Sequence, residues 1–340
     1  MKGSALFLMI FLTGAVFSCG PMESVQFVTD SDTVPPAVAS IRMKNRNTIL
    51  IRCSEAVAPT DRLPVIAPDL PVADVRINGS SIEYVLAIPT SPGIKYIIDT
   101  TIEDCAGNSV TLNARFYGFN PDTPGVLINE FITQGSGNHP DLVELKVIKE
   151  GNLGGVCLFE GTAFNNDQGI VFPEVQVEKG DYLLVHFKPE GLPEEIDETV
   201  TPDQSGGLDA HPSAWDFWVN GGTGLSGNNG VLTVYDNPGG ELLDAVIYSN
   251  RTSDSDEKYS GFGSSKTAER VKEIADLGGW VFAGPIRPEE AVNPDDSTST
   301  RSICRTPEEP DSNTAGDWHI VPTRGSTFGE TNTSEEYNPR

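Results

Sequence analysis

From Val38 onward, apolar and polar residues alternate in short runs separated by turn residues. The segments at 40–44, 48–57, 72–78, 81–88, 95–104 and 109–119 each alternate over strand-like lengths, as half-buried strands do. In 48–53, Ile49, Ile51 and Cys53 fall on one face while Leu50 and Arg52 take the other, because successive strand side chains point to opposite sides. Further strand-like runs follow at 126–131, 141–147, 153–161, 180–187 and 224–249, with a closing stretch at 311–332. One segment has the other period. Ala268, Val271, Ile274 and Ala275 share a helical face, with Ser265 as N-cap and Gly278 as C-cap. With 34 glycines and 25 prolines punctuating the runs, the expectation is an all-β chain of two Ig-like β-sandwiches in tandem, the second enlarged by long insertions and carrying one short helix.

The first residues break this pattern. Lys2 precedes the apolar run Ala5–Leu12, which gives way to the small residues Gly14, Ala15 and Ser18. A basic start, a short apolar stretch and a small-residue exit predict a secretory signal over residues 1–18, since a spanning helix needs roughly 20 apolar residues. Val16-Phe17-Ser18-Cys19 then resembles the lipobox of bacterial lipoproteins, although Phe17 is bulkier than usual there. The resemblance implies cleavage before Cys19, a diacylglycerol thioether (palmitate-type acylation) on its thiol, and a membrane contact made through lipid. Several acyl chains anchor stably where one does not. Residues 19–34 lack periodicity and read as a lipidated tether, about 50 Å long if fully extended or roughly 20 Å as a coil.

Within 35–120, Cys53-Ser54-Glu55-Ala56-Val57, the Pro92-Gly93 turn before Tyr96, and Asp104-Cys105-Ala106-Gly107-Asn108 resemble motifs of bacterial Ig-like repeats. Residues 124–333 resemble the lamin-tail domain. Ile128-Asn129-Glu130 opens that pattern, Val143-Glu144-Leu145 is its second strand, and Asp236 to Gly239 forms its hairpin turn. Asp317-Trp318 and Gly325 stand in its closing segment. Two usual tryptophans are replaced by Leu142 and Val156, and insertions at roughly 190–224 and 250–300 enlarge the domain. The resemblance implies an Ig-type sandwich, and residues 334–340 form a C-terminal tail.

Charge narrows the partners. The formal net charge of −26 becomes −27 once Lys2 leaves with the signal. A chain this acidic repels phosphate backbones, which argues against nucleic acid. Catalytic motifs are missing: no Walker loop, Gly-x-Ser-x-Gly elbow, Cys-x-x-Cys pair or metalloprotease histidine pair occurs. His139, His186, His211 and His319 are scattered, and His186 reads as an ordinary strand residue. Glu130 and Glu144 can meet across neighbouring strands, where they read as acceptors for loop amides. The acidic stretches 193–199, 253–258 and 293–297 lack the spacing of a calcium loop and read as solvated charge, so neither metal nor cofactor is expected. Trp215, Phe217 and Trp218 crowd a Gly-rich insertion. Such residues either form a ligand-binding loop, for a sugar or peptide, or cover an open end of the sandwich; covering is favoured.

Cysteine usage follows the compartment. With Cys19 given to lipid, four of the five cysteines remain, two in each expected domain. Four cysteines allow three pairings, and Cys53–Cys105 with Cys157–Cys304 keeps both bonds within domains, as export to an oxidising compartment favours. Function is expected to be non-enzymatic: a lipid-anchored module of the bacterial cell envelope, in the outer membrane by family analogy from Gly20, that binds a protein or glycan ligand or serves adhesion or structure. The lamin-tail resemblance also implies an alternative, an accessory subunit that docks a separate secreted hydrolase (nuclease or phosphoesterase).

Overall fold

The computed structural model describes residues 32–59, 62–307 and 309–339. The signal segment, Cys19 and nearly all of the tether lie outside the described residues. Two groups of sheets follow, each closed on its own core. The first comprises β1 (Val38–Asn45), β2 (Thr48–Cys53), β3 (Val65–Ala67), β4 (Val72–Asn78), β5 (Ser81–Leu86), β6 (Lys95–Glu103) and β7 (Ser109–Tyr117). A four-stranded sheet of order β1-β2-β5-β4 faces a three-stranded sheet of order β3-β6-β7. Alternation decides which side chains go inward: in β6, Tyr96, Ile98, Thr100 and Ile102 are buried while Lys95, Ile97 and Asp99 are exposed. They pack with Ile49, Ile51, Ile82 and Tyr84, and the Tyr84 hydroxyl bonds the Thr100 hydroxyl at 3.0 Å, so the buried phenol keeps a partner. The β6–β7 turn is held by Asp104, which accepts the backbone N–H groups of Ala106 (2.7 Å) and Asn108 (2.9 Å).

The second group comprises β8 (Gly125–Ile132), β9 (Leu142–Lys149), β10 (Gly151–Asn152), β11 (Cys157–Gly161), β12 (Asn166–Val171), β13 (Gln176–Val177), β14 (Tyr182–His186), β15 (Trp215–Trp218), β16 (Asn229–Tyr235), β17 (Leu242–Ser249), α1 (Ser265–Asp276), β18 (Ile303–Arg305) and β19 (Trp318–Ile320). A six-stranded sheet of order β15-β14-β9-β8-β18-β19 faces a four-stranded sheet of order β12-β11-β16-β17. Phe131, Leu145, Val185, Phe217, Val231 and Ile247 fill the space between them. The two groups meet where Asn120 donates its side-chain amide to the carbonyls of Asn152 (2.6 Å) and Gly154 (3.0 Å). The fold is thus all-β and sandwich-like with one short helix, as the alternation and the single 3.6-residue period indicate.

The helix begins one residue earlier than expected. Its N-cap is Ser264, whose hydroxyl accepts the Thr267 N–H at 3.1 Å. Val271 and Ile274 are buried in the main core, and Gly278 follows the cap Leu277 at φ 75°, where a residue without Cβ terminates the helix without strain. No helix among the described residues is long and apolar enough to cross a membrane.

The disulfide expectation is corrected here, and so is the alternative of a ligand-binding loop at residues 215–218. Neither Cys53–Cys105 nor Cys157–Cys304 is bonded; all four are free thiols. Cys53 points into the first core while Cys105 is exposed in the β6–β7 turn. In the second group, the pleat turns Leu158 and Ile303 inward, so Cys157 and Cys304 lie on the outer faces of opposite sheets. Cys157 packs outside with Phe159 and Tyr235, with a whole sandwich between it and Cys304. Trp215, Phe217 and Trp218 do not form a ligand-binding loop. They form β15, paired in parallel with β14, and all three are buried. Phe217 meets Phe172 edge to face at 4.9 Å, Trp215 donates to Asp181 (3.2 Å) and Trp218 to Ser205 (2.8 Å). The acidic stretch 193–199 is largely exposed, as expected, with Glu198 the exception. Glu198 is fully buried, and Asp197 accepts the Trp218 backbone N–H at 2.8 Å.

Candidate functional site

The outer face of the six-stranded sheet is unusually polar for a covered surface. A bulge between Ile128 and Glu130 in β8 gives the outside two consecutive polar residues, Asn129 and Glu130, both buried. It also frees the peptide groups of Ile128 from the ladder. The Ile128 N–H reaches Asp244 at 2.6 Å and its carbonyl accepts from Arg305 at 2.9 Å, while Arg305 pairs with Asp244 at 3.1 Å. Register places Glu130 opposite Glu144 on β9 and opposite Cys304 on β18.

Each of these carboxylates holds the loop that follows β19. Glu130 accepts the Thr327 N–H at 2.9 and 3.1 Å, the Thr327 hydroxyl at 2.6 Å, and the Ser302 hydroxyl. Glu144 accepts the Gly329 N–H and the Asn129 side-chain amide, both at 2.5 Å. Asn332 closes the segment by exchanging amide bonds with Asn129 and donating to the Arg305 carbonyl at 2.7 Å. Burial pushes both carboxyls up. Glu144 reaches about 8, because burial and the nearby charge of Glu130 outweigh its two donors. Burial also raises the Cys304 thiol far above its ordinary range, with the Glu130 charge adding to it, so Cys304 is held as an inert thiol.

The insertion between β14 and β15 is pinned in the same way. A parallel pair needs a long crossover, and residues 187–214 supply it. His186 bonds Asp216 at 2.6 Å, with both side chains almost wholly buried, and its ring stacks on Trp218 at 3.8 Å. The second Asp216 oxygen accepts the His211 N–H at 2.9 Å. Glu198 accepts the N–H groups of Gln204 (2.6 Å), Ser205 (2.8 Å) and Asp216 (2.9 Å). A third loop, 133–141, is held by Asp141, which takes the N–H groups of Gly135 and Leu225, both at 2.7 Å.

These three pinned loops, together with the turn at 298–301, line an open cleft of about 440 Å³. Ile132, Ala210 and Phe328 form its apolar part; Asp209 and Arg324 supply charge, His139 and His211 supply imidazoles, and Ser299, Thr300 and Ser326 supply hydroxyls. His139 Nδ1 meets Asp209 at 2.9 Å and so ties two of the loops together. Since a carboxylate only accepts, Nδ1 carries the proton and Nε2 is left as the other ring nitrogen's free position. His211 Nδ1 accepts the Ser213 N–H at 3.2 Å, which places a donor on its Nε2. Asp209 and Arg324 both stand at positive φ, 61° and 65°, conformations that L-residues adopt at a cost and that tend to gather at functional positions. Gly329, at φ 74°, sits so close beneath the His211 ring that a Cβ would collide with it.

The arrangement suits binding better than hydrolysis. His139 and Asp209 resemble the base half of a nucleophilic pair, yet among the described residues no hydroxyl hydrogen-bonds the His139 ring, which a poised nucleophile requires; the Ser136 hydroxyl only accepts the His139 backbone N–H. The ligand atoms of His139, Asp209 and His211 do not gather closely enough for one ion. Among the described residues that closeness occurs at Asp32, Glu55 and Asp104, whose ligand atoms lie within 4.8 Å of one another. Nothing in the spacing of the four histidines connects His139 with Asp209, 70 positions along the chain. Only the β14–β15 crossover brings them together. Glu130 and Glu144 were legible, because neighbouring strands place them face to face.

Comparison with known proteins gives few neighbours. The N-terminal part of the bacterial S-layer protein SbsC is 17% identical, with 37% of this chain and 35% of that chain covered and a TM-score of 0.26. L,D-transpeptidase 3 from Mycobacterium tuberculosis is 11% identical, with 44% and 81% covered and a TM-score of 0.16. Scores this low carry neither fold nor function. An uncharacterized protein of Treponema pallidum (strain Nichols) is 25% identical over 158 residues, which is 46% of this chain and 40% of that relative's length. A family model described as "TP_1001_2nd: protein second domain" matches residues 124–320, the greater part of the chain and the part that builds the cleft. The chain therefore belongs to the TP_1001_2nd protein second domain family.

Proposed function

We propose that this protein is a cell-envelope lipoprotein, anchored through Cys19, whose second sandwich binds a ligand in the cleft between the loops 133–141, 197–214 and 324–329. The observation that carries this reading is the preorganisation of the cleft. All three walls are fixed by buried carboxylates of the sheet beneath them. Burying polar carboxyl groups to immobilise surface loops is costly, and holding loops on a rigid scaffold is how proteins present binding surfaces. The resemblance to Ig-like repeats and lamin-tail domains supports a tether, spacer and presented module, the lipobox supports a lipid anchor, and Gly20 after it supports the outer membrane by family analogy. An accessory role beside a separate hydrolase rests on that resemblance alone.

Two experiments test the reading. Metabolic labelling with palmitate tags the wild-type chain and leaves Cys19→Ala unlabelled; unlabelled wild-type protein removes the anchor. A panel of glycans and peptides, screened against the full chain by calorimetry, yields a ligand whose binding is weakened by His211→Ala. If no ligand in such a panel responds to substitution in the cleft, the site is wrong.

A further inference from the structure

We infer that the cleft is built for an acidic sugar, a hexuronate-type ring whose carboxylate pairs with Arg324 while its face lies on Phe328. This rests on the binding reading above and gives it a ligand class.

Arg324 carries the inference. It lines the cleft, is exposed, and has no ion-pair partner among the described residues, although the chain holds 49 carboxylates against 23 lysines and arginines. Arg42, Arg46, Arg52 and Arg115 also lack an ion pair among the described residues; Arg324 differs from them in lining this cleft, where its guanidinium is open to an anion from elsewhere. Its backbone is held in the left-handed region, with its N–H bonded to the Thr300 carbonyl at 2.7 Å, so the direction of the side chain is constrained at its root. A planar guanidinium matches a carboxylate with two parallel hydrogen bonds. One arginine suits one negative charge, whereas a phosphate group would call for more cations than the cleft offers.

The remaining lining fits a sugar ring better than a simple anion. Phe328 is half-buried against Leu142 and Leu184 and keeps one part of its ring toward the cleft, giving a flat apolar floor with Ile132. Ser299, Thr300 and Ser326 bring hydroxyls, and the two imidazoles bring both donor and acceptor positions. Such groups match the alternating donors and acceptors of vicinal hydroxyls. The volume, about 440 Å³, falls in the range of roughly 300–1,000 Å³ usual for small-molecule sites. The overall negative charge does not forbid an acidic ligand, because fields from exposed charges fade beyond about 8 Å at physiological salt.

Calorimetric titration of the full-length chain with glucuronate, glucose and acetate tests this. Glucuronate is expected to bind more tightly than either glucose or acetate by roughly 10- to 100-fold, the value of a charge-assisted pair. Arg324→Asn, chosen because asparagine tolerates positive φ, should bring glucuronate down to the level of glucose with the melting temperature unchanged. Phe328→Leu keeps the apolar contact with Leu142 and Leu184 and should weaken both sugars. Glucuronate binding no tighter than glucose or acetate, or undiminished in Arg324→Asn, overturns the inference. If neutral sugars or peptides bind instead and remain sensitive to Phe328→Leu, the acidic-sugar class fails while the binding reading stands. If nothing in the wider panel responds to either substitution, the binding reading fails with it.

Discussion

At the scale of single residues, the acidic composition has a different use from the one suggested by net charge. Asp104, Glu130, Asp141, Glu144, Glu198 and Asp216 each accept backbone N–H groups of loops. Much of the negative charge thus works inside the protein as a set of loop anchors, which composition alone does not reveal. Glu144 gives this a pH signature. Its carboxyl is raised from 4.5 to about 8 in the fold, so the folded state holds a proton there that the unfolded chain releases. The resulting stability is present in full below about pH 4.5 and is lost as pH rises through 8, a change on the order of 5 kcal/mol. Glu144→Gln should flatten the decline in unfolding free energy between pH 5 and pH 9, measured by urea denaturation. An unchanged decline in that variant shows that Glu144 is not the group concerned. At Asp216, replacement by alanine strands the His186 ring nitrogen and the His211 N–H, at a cost of about 1–3 kcal/mol for each group left buried and unpaired. Asp216→Ala with wild-type stability would show that the pair is not buried as described.

At the scale of elements, most strands of the first sandwich are legible because one side is wet: β5 and β6 alternate strictly between buried and less buried positions, β2 being the exception with five of its six residues buried. β15 is not legible. Its four residues are all buried, because the crossover loop covers the outer face of the six-stranded sheet and the core covers the inner one. A strand buried on both faces loses its period of two, and "WDFW" then reads as an aromatic cluster of unknown placement. Trp218→Ala should cost about 3–5 kcal/mol by removing a buried aromatic, read from the denaturation midpoint. A loss below about 1 kcal/mol, the size of a surface effect, would return Trp218 to an exposed loop. The helix offers a smaller check, since Ser264→Ala removes the capping oxygen and should cost about 1 kcal/mol, whereas Ser265→Ala should not.

At the scale of the whole molecule, fold class could be read from turn frequency and alternation, and the helix from its lone 3.6-residue period. The cysteine pairing could not. Counting assigns cysteines to domains, but whether two can meet depends on which face of which sheet each occupies, and a shift of one position along a strand reverses the face. Cys157 and Cys304 stand on opposite outer faces for that reason. In native protein, Cys105 should react with a thiol reagent well before Cys53, Cys157 and Cys304, which are buried, and denaturation should release all four. The candidate site was the least legible feature, since its walls come from loops centred near residues 137, 205 and 326 that only the β-topology gathers.

The most direct measurement of the central claim, that this gathered cleft is the working surface, is a chemical-shift map of the isotope-labelled full chain titrated with the glycan and peptide panel. The expected result is a set of perturbed amides clustered at Ile132, His139, Asp209–His211, Ser299–Thr300 and Arg324–Phe328. Perturbations clustered on another face, or none at millimolar ligand, would contradict it.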